Sequence, residues 1–207
     1  QRWIGMLSFH HLVNDATSMG VLVAEIEAHM SGREQQLGAS VPYRNYVAQT
    51  RQGKDRAAHE AFFREMLGDV DEPTLPFGVQ RIDSERDATE EVDHWLGAAF
   101  SQRLRRQARQ LGVSAATLYH WVWAQVIGTV SARDDVVFGT VLLGRLQAGD
   151  GAERSLGMFI NTLPLRVRLK DESLTAAVKN THVALSQLMA HEHASLTLAQ
   201  RCSGVAA

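Results

Sequence analysis

The feature that most restricts the fold is a pair of apolar runs in the second half of the chain that follow two different patterns. Residues 136–143, Val136-Val137-Phe138-Gly139-Thr140-Val141-Leu142-Leu143, are apolar almost without a break, which predicts a strand buried on both faces. Residues 163–169 alternate instead. Leu163, Leu165, Val167 and Leu169 fall on one side and Arg166 and Arg168 on the other, which predicts one buried face with the arginines outside. Strands of this kind need helices to cover them. Ser114 can cap a helix over residues 115–130, where Leu118, Trp121, Val122 and Val126 lie on more than one side and imply burial. Further helices are expected over residues 100–111, ended by Gly112, and over residues 174–189. The chain reads as α/β.

The first half is built differently. Residues 3–9 form an apolar strand pattern with no turn or cap before it, and residues 202–207 stop without completing an element. The fold is therefore expected to be incomplete at both ends. A polar loop at residues 10–18 leads into a helix capped by Thr17 or Ser18, with Met19, Val21, Leu22, Val23, Ile26 and Met30 as its buried stripe. After Pro42, residues 43–67 give one or two amphipathic helices. Pro73 and Pro76 open a charged stretch that runs to Glu91, followed by a short strand at residues 92–96. This places a lobe boundary between residues 1–78 and 79–207.

Composition narrows the partners. A 207-residue chain with 45% hydrophobic content can bury a substantial core, and a formal charge of -2 with a pI near 6.5 offers no basic surplus for nucleic acid or an anionic membrane. Cys202 is the single cysteine, which excludes an internal disulfide framework and a thiolate zinc site and suits the cytoplasm. No apolar run approaches the roughly 18 residues of a membrane span, and the first residues lack the features of a signal peptide.

The candidate chemistry centres on His10 and His11, with Asp15 shortly after them. Adjacent strand residues face opposite ways, so one imidazole is expected to be structural and the other to meet a substrate. On its own, such a pair also fits a satisfied core feature. The surrounding motifs decide between these readings.

His10-His11-Leu12-Val13-Asn14-Asp15 resembles the HHxxxDG signature of condensation domains of nonribosomal peptide synthetases, relatives of chloramphenicol acetyltransferase. Three further matches follow in the family's order. Tyr43-Arg44-Asn45-Tyr46-Val47-Ala48 resembles YxDYA, and Val137-Phe138-Gly139-Thr140 with Gly144-Arg145 resembles VFGTxxxGR. Leu156-Gly157-Met158-Phe159-Ile160-Asn161-Thr162-Leu163-Pro164-Leu165-Arg166 is very similar to IGxFVNTLPLR. The resemblance covers nearly the whole chain.

It implies a chloramphenicol acetyltransferase-like two-lobed fold with mixed sheets packed by helices. Donor and acceptor peptidyl carrier proteins would present substrates on phosphopantetheine arms, beside a neighbouring adenylation domain, and the domain itself would bind no cofactor or metal. An acceptor amine would attack a donor thioester to give an amide. His11 matches the catalytic histidine, as a base or as a group that positions the amine. His10 is the structural member of the pair, and Asp15 would pair with Arg145 to hold the histidine loop. Ala16, Ser18 and Asn161 are expected along the substrate tunnel, Asn161 mainly as a backbone clamp, and Tyr43 and Tyr46 as core contacts with polar tips.

Departures sharpen the reading. Ala16 stands where the family has glycine, which loses space and backbone freedom. That change keeps open a second reading, a catalytically silent module that only docks carrier proteins or tailoring enzymes. Epimerising relatives carry a glutamate where this chain has Val141, and cyclising relatives replace the histidines by aspartate, so neither reaction is expected. The segment from Gly139 to Gly144 has phosphate-loop spacing, but Arg145-Leu146 stands where lysine and a hydroxyl residue are needed. His191-Glu192-His193 lacks a zinc-helix spacing and resembles a degenerate HQDxPF loop.

Overall fold

The computed structural model describes residues 4–52, 56–80, 90–146, 148–169 and 171–205. Seven α-helices and two strands are found among them. The expected first strand is absent in its described part, residues 4–9, which run without regular structure and expose Ile4 and Met6 almost fully. An apolar alternation becomes a strand only when a neighbour takes its backbone hydrogen bonds, and no ladder partner for these residues lies among the described ones.

Helix α1, Ala16–Met30, starts on Asp15, whose carboxylate accepts the Ser18 N–H at 2.8 Å. The cap is thus Asp15 rather than Thr17 or Ser18, and the residue that caps the helix is also free to make a tertiary ion pair. The expected buried stripe is also corrected. Ser18 and Ala28 are buried, whereas Val23, Ile26 and Met30 are exposed. Helices α2, Tyr43–Gln52, and α3, Arg56–Leu67, fill the region expected after Pro42. Helix α3 buries His59, Phe63 and Leu67.

Residues 92–96 form no strand, and Val92 and Trp95 are exposed. Helix α4, Ala98–Leu111, ends where Gly112 turns to φ 70° and Val113 N–H bonds back to the Ala108 carbonyl at 3.0 Å. Helix α5, Ala115–Ser131, is capped by the Ser114 hydroxyl on Thr117 N–H at 3.1 Å. It buries Thr117, Ala124, Ile127 and Gly128, but Tyr119, Val122, Trp123 and Val126 stay about half exposed, so the all-round burial expected of it does not occur.

Strands β1, Asp135–Leu142, and β2, Asn161–Arg168, pair antiparallel from Asp135 opposite Arg168 to Leu142 opposite Asn161. The burial of β1 on both faces, expected from its apolar run, does not occur. Val136, Thr140 and Leu142 are buried while Val141 is exposed, because a two-stranded sheet has one covered face here. In β2, Leu163, Leu165 and Val167 are buried as expected. Arg166 is not outside: its side chain is 8% exposed, held by Asp135, Asp69 and the Met66 carbonyl. Its Nη2 donates to Asp135 Oδ2 at 2.6 Å. A buried arginine is tolerated because its guanidinium N–H groups meet charged and carbonyl acceptors.

Helix α6, Leu174–Met189, is capped by Ser173 and packs on α5 and β2, and α7, Leu196–Arg201, closes the same core with buried Cys202. That core joins Phe63 and Leu67 of α3 to Ala124, Val136, Leu163, Leu165 and Leu188. Packing therefore continues across residues 78 and 79, with α3 lying against α7 and its Met66 carbonyl bound by Arg166 of β2. No helix among the described residues is long and apolar enough to cross a membrane.

Candidate active site

The histidine pair sits on a short 3-10 turn, His11–Val13, between extended backbone at His10 and the cap of α1. Both histidines are exposed, so burial does not distinguish the structural member of the pair from the other. Strand alternation does not apply, since the segment before the turn is not in a sheet. His10 instead turns its Nδ1 onto the Leu12 N–H at 3.1 Å, and His11 is presented on the turn itself.

Asp15 anchors this loop. It is 1% exposed, and its two oxygens meet three donors: Ser18 N–H at 2.8 Å and Arg145 Nη2 at 3.0 Å on one, Phe159 N–H at 3.1 Å on the other. The expected pairing with Arg145 is thus present. Burial pushes the Asp15 carboxyl up, but the hydrogen bonds from Ser18, Phe159 and Arg145 outweigh it and hold the group below its ordinary value. An ionised, fully bonded carboxylate results.

Arg145 completes a node of four segments. Its Nη1 donates to the Ala152 carbonyl and to the Ser155 carbonyl at 3.0 Å, its Nη2 also reaches the Ser18 hydroxyl at 2.7 Å, and its guanidinium lies 3.9 Å over the Phe159 ring. Gly144 makes the approach possible. It sits at φ 68°, and a Cβ there would collide with the Phe159 carbonyl. Gly157 plays the same part for Tyr43, whose ring fills the place of a side chain and whose hydroxyl donates to the Met158 carbonyl.

The tunnel residues divide. Ser18 is wholly buried rather than lining open space: its hydroxyl donates to the Gly157 carbonyl at 2.8 Å and accepts the Gly157 N–H at 3.0 Å. Asn161 donates through Nδ2 to the carbonyls of Glu192 at 2.8 Å and Ala194 at 2.7 Å, which makes it the clamp expected of it. The clamped loop carries His193 against Tyr46 and the Gly144 carbonyl. Ala16 is exposed in the first turn of α1 and does not adopt positive φ, so alanine meets no backbone strain there.

Tyr43, Tyr46 and Phe159 form an aromatic cluster behind the node, with ring centroids 4.4–5.3 Å apart. Burial raises the Tyr46 hydroxyl to about 12, with Tyr43 and Glu192 adding to it. A cavity of about 150 Å³ lined by Val41, Tyr46, Ser155 and Phe159 lies there too. A larger groove, about 670 Å³ between α3, α6 and β2, touches none of His11, Asp15 and Arg145. No group of three or more metal-binding side chains occurs among the described residues. Sequence reasoning missed Phe159 and Ser18 as partners of Arg145. Phe159 lies inside a motif match, but nothing local shows which arginine it supports.

Residues 1–204 match the family described as the condensation domain. The chain belongs to that family. Among curated relatives, this condensation domain is 49% identical over 204 residues to malpinin synthetase of Mortierella alpina, covering 99% of the chain and 3% of that protein. It is 31% identical over 172 residues to bacitracin synthase 3 of Bacillus licheniformis, covering 80% of the chain and 3% of that protein. The chain thus spans a few per cent of the length of these relatives. Among solved structures, the first condensation domain of the calcium-dependent antibiotic synthetase, in complex with a substrate analogue, matches with a TM-score of 0.73 and 27% identity. That match covers 90% of this chain and 42% of that one. The fold is the one shared by condensation domains, as the motifs implied.

Proposed function

We propose that this condensation domain segment forms amide bonds in a nonribosomal peptide synthetase, by attack of a carrier-bound acceptor amine on a carrier-bound donor thioester. The observation that carries the reading is the buried Asp15–Arg145 pair, which fixes the turn bearing exposed His11 against the second half of the chain. His11 takes a proton from the attacking nitrogen or orients it, nitrogen bonds to the thioester carbonyl carbon, and the donor thiolate leaves with a proton. Two carrier proteins deliver the reactants on phosphopantetheine arms, an adenylation domain adjoins, and the work is done in the cytoplasm. Residues 1–78 and 79–207 belong to two lobes in this reading, with Phe63 and Leu67 of α3 sharing the second lobe's core. The silent-module alternative draws on Ala16 and the incomplete ends of the chain, and ordinary helical geometry at Ala16 speaks against the backbone part of that case.

The test is His11→Ala in the complete domain, with both carriers loaded and product counted by mass after short quench times. A loss of roughly 10²–10⁴-fold in rate is expected, the usual contribution of a positioned base. Carrier affinity, titrated separately, should stay unchanged. Product forming at the unmutated rate would exclude His11 as the catalytic residue.

A further inference from the structure

A second pair of histidines, far apart in sequence, meets outside the node of Asp15 and Arg145. His59 is buried on α3, 8% exposed, and its Nδ1 stands 2.9 Å from Nδ1 of His191, 132 residues further along the chain. The His191 ring is stacked on Phe62, with centroids 4.1 Å and planes 6° apart, and the His59 ring meets it edge-on.

The number of protons decides whether this contact holds. Two nitrogens at hydrogen-bond distance need one donor and one acceptor, and an imidazole nitrogen accepts only without a proton of its own. With both rings neutral, one carries its hydrogen on Nδ1 and the other on Nε2. A first added proton keeps the bond and makes it charge-assisted. A second sets N–H against N–H between like charges, and the bond is lost.

The pair bears on the site through the loop it holds. Ala194 N–H closes a turn onto the His191 carbonyl at 2.9 Å, and Asn161 of β2 grips that turn by the carbonyls of Glu192 and Ala194. Within it, His193 Nε2 lies 3.4 Å from the carbonyl of Gly144, the residue before Arg145. Other ionisable groups surround the pair. Glu60 binds Arg64 on α3, Glu192 lies 3.7 Å from His193, and Glu65, Arg166, Arg168 and Glu172 line the groove beside His191. The Cys202 thiol, just after α7, donates to the Glu60 carbonyl.

We propose that His59 and His191 form an acid-sensitive clasp. It holds the 191–194 loop on α3 while at least one Nδ1 lacks a proton, and it opens when both rings are imidazolium, which loosens the seat of Gly144 and Arg145. Asparagine at position 59 puts an amide, donor and acceptor together, where Nδ1 stands and takes up no proton, whereas phenylalanine keeps a ring without the nitrogen.

The experiment follows histidine ring ¹⁵N shifts and backbone amide shifts of the complete domain from about pH 8 to about pH 5, the interval in which imidazoles take up protons. In the unmutated domain, the amides of residues 192–194 and 144 should move together as the second ring is protonated. His59→Asn should abolish that step, and His59→Phe should show the loosened shifts throughout. A step that persists in His59→Asn belongs to His193 or Glu192 and overturns the proposal, as does protonation of both rings without any movement of these amides. The rings decide it even if the variants fail to fold: at about pH 8, hydrogen on Nδ1 of one and on Nε2 of the other supports the clasp, and hydrogen on Nε2 of both overturns it. A rate measurement with loaded carriers rests on the reaction proposed above. There, kcat relative to His59→Asn should fall up to about tenfold in acid, the worth of one hydrogen bond, and a ratio that stays constant overturns the link to Arg145. Failure of the reaction itself would show as absent product at every pH, while the shifts still report on the clasp.

Discussion

At the scale of single residues, the site depends on one carboxylate with three donors and one guanidinium with four oxygen acceptors. Replacing Asp15 by Asn removes the charge that faces Arg145, whose side chain is 10% exposed. Leaving a buried charge uncompensated costs about 3–5 kcal/mol, so Asp15→Asn should lower the stability measured by denaturant titration at neutral pH by that amount. The pH dependence has a defined sign. The folded state holds the Asp15 carboxyl below its unfolded value, so its contribution is complete above about pH 4 and fades as pH falls through the folded value. Unmutated and Asp15→Asn stabilities should therefore converge in acid, and a constant difference down to strong acid would contradict the assignment. Asp15 and Arg145 were legible as partners through the motifs beside them. Ser18 was not, because its partner Gly157 lies 139 residues away and a serine in a helix's first turn looks like an ordinary cap residue.

At the scale of elements, what the sequence made plain is what short-range chemistry decides. The start of α5 and the end of α4 follow from Ser114 and Gly112, each acting within its own turn. The strand patterns at residues 4–9 and 92–96 did not become strands, because pairing depends on neighbours that local sequence does not specify. Arg166 was misplaced for a related reason: alternation tells which side it faces, not that Asp69 and Asp135 wait there. Two substitutions test the element packing. Leu165→Ala, at a fully buried position of β2, should cost about 2–5 kcal/mol in denaturant unfolding. Gly144→Ala places a methyl group against the Phe159 carbonyl in a left-handed conformation, and should weaken both stability and the approach of Arg145. A Gly144→Ala protein with unchanged unfolding midpoint would show that the turn relaxes freely.

Across the whole molecule, charged contacts join distant parts of the chain. Asp69, just after α3, is bound by Arg166 and Arg168 of β2, and the Arg166 hydrogen bonds hold its carboxyl down to about 2. A depressed carboxylate stabilises the fold above its unfolded value and stops doing so as pH falls through the folded one. Between about pH 4 and about pH 2, the thermal midpoint should therefore drop more steeply for the unmutated protein than for Asp69→Asn. The difference should shrink in high salt, because Asp69 is exposed. The node at Asp15 has a further consequence in time. Its bonds to Arg145 and Phe159 close loops of 130 and 144 residues, the kind of contact whose closure entropy delays it in folding. The histidine turn is therefore expected to take its place late, after β1 and β2 have formed the frame that carries Arg145 and Phe159. Ser18→Ala should then accelerate unfolding while leaving the refolding rate nearly untouched, and between full unfolding events this corner should open first, so the turn that carries His11 would be the last to arrive and the first to leave.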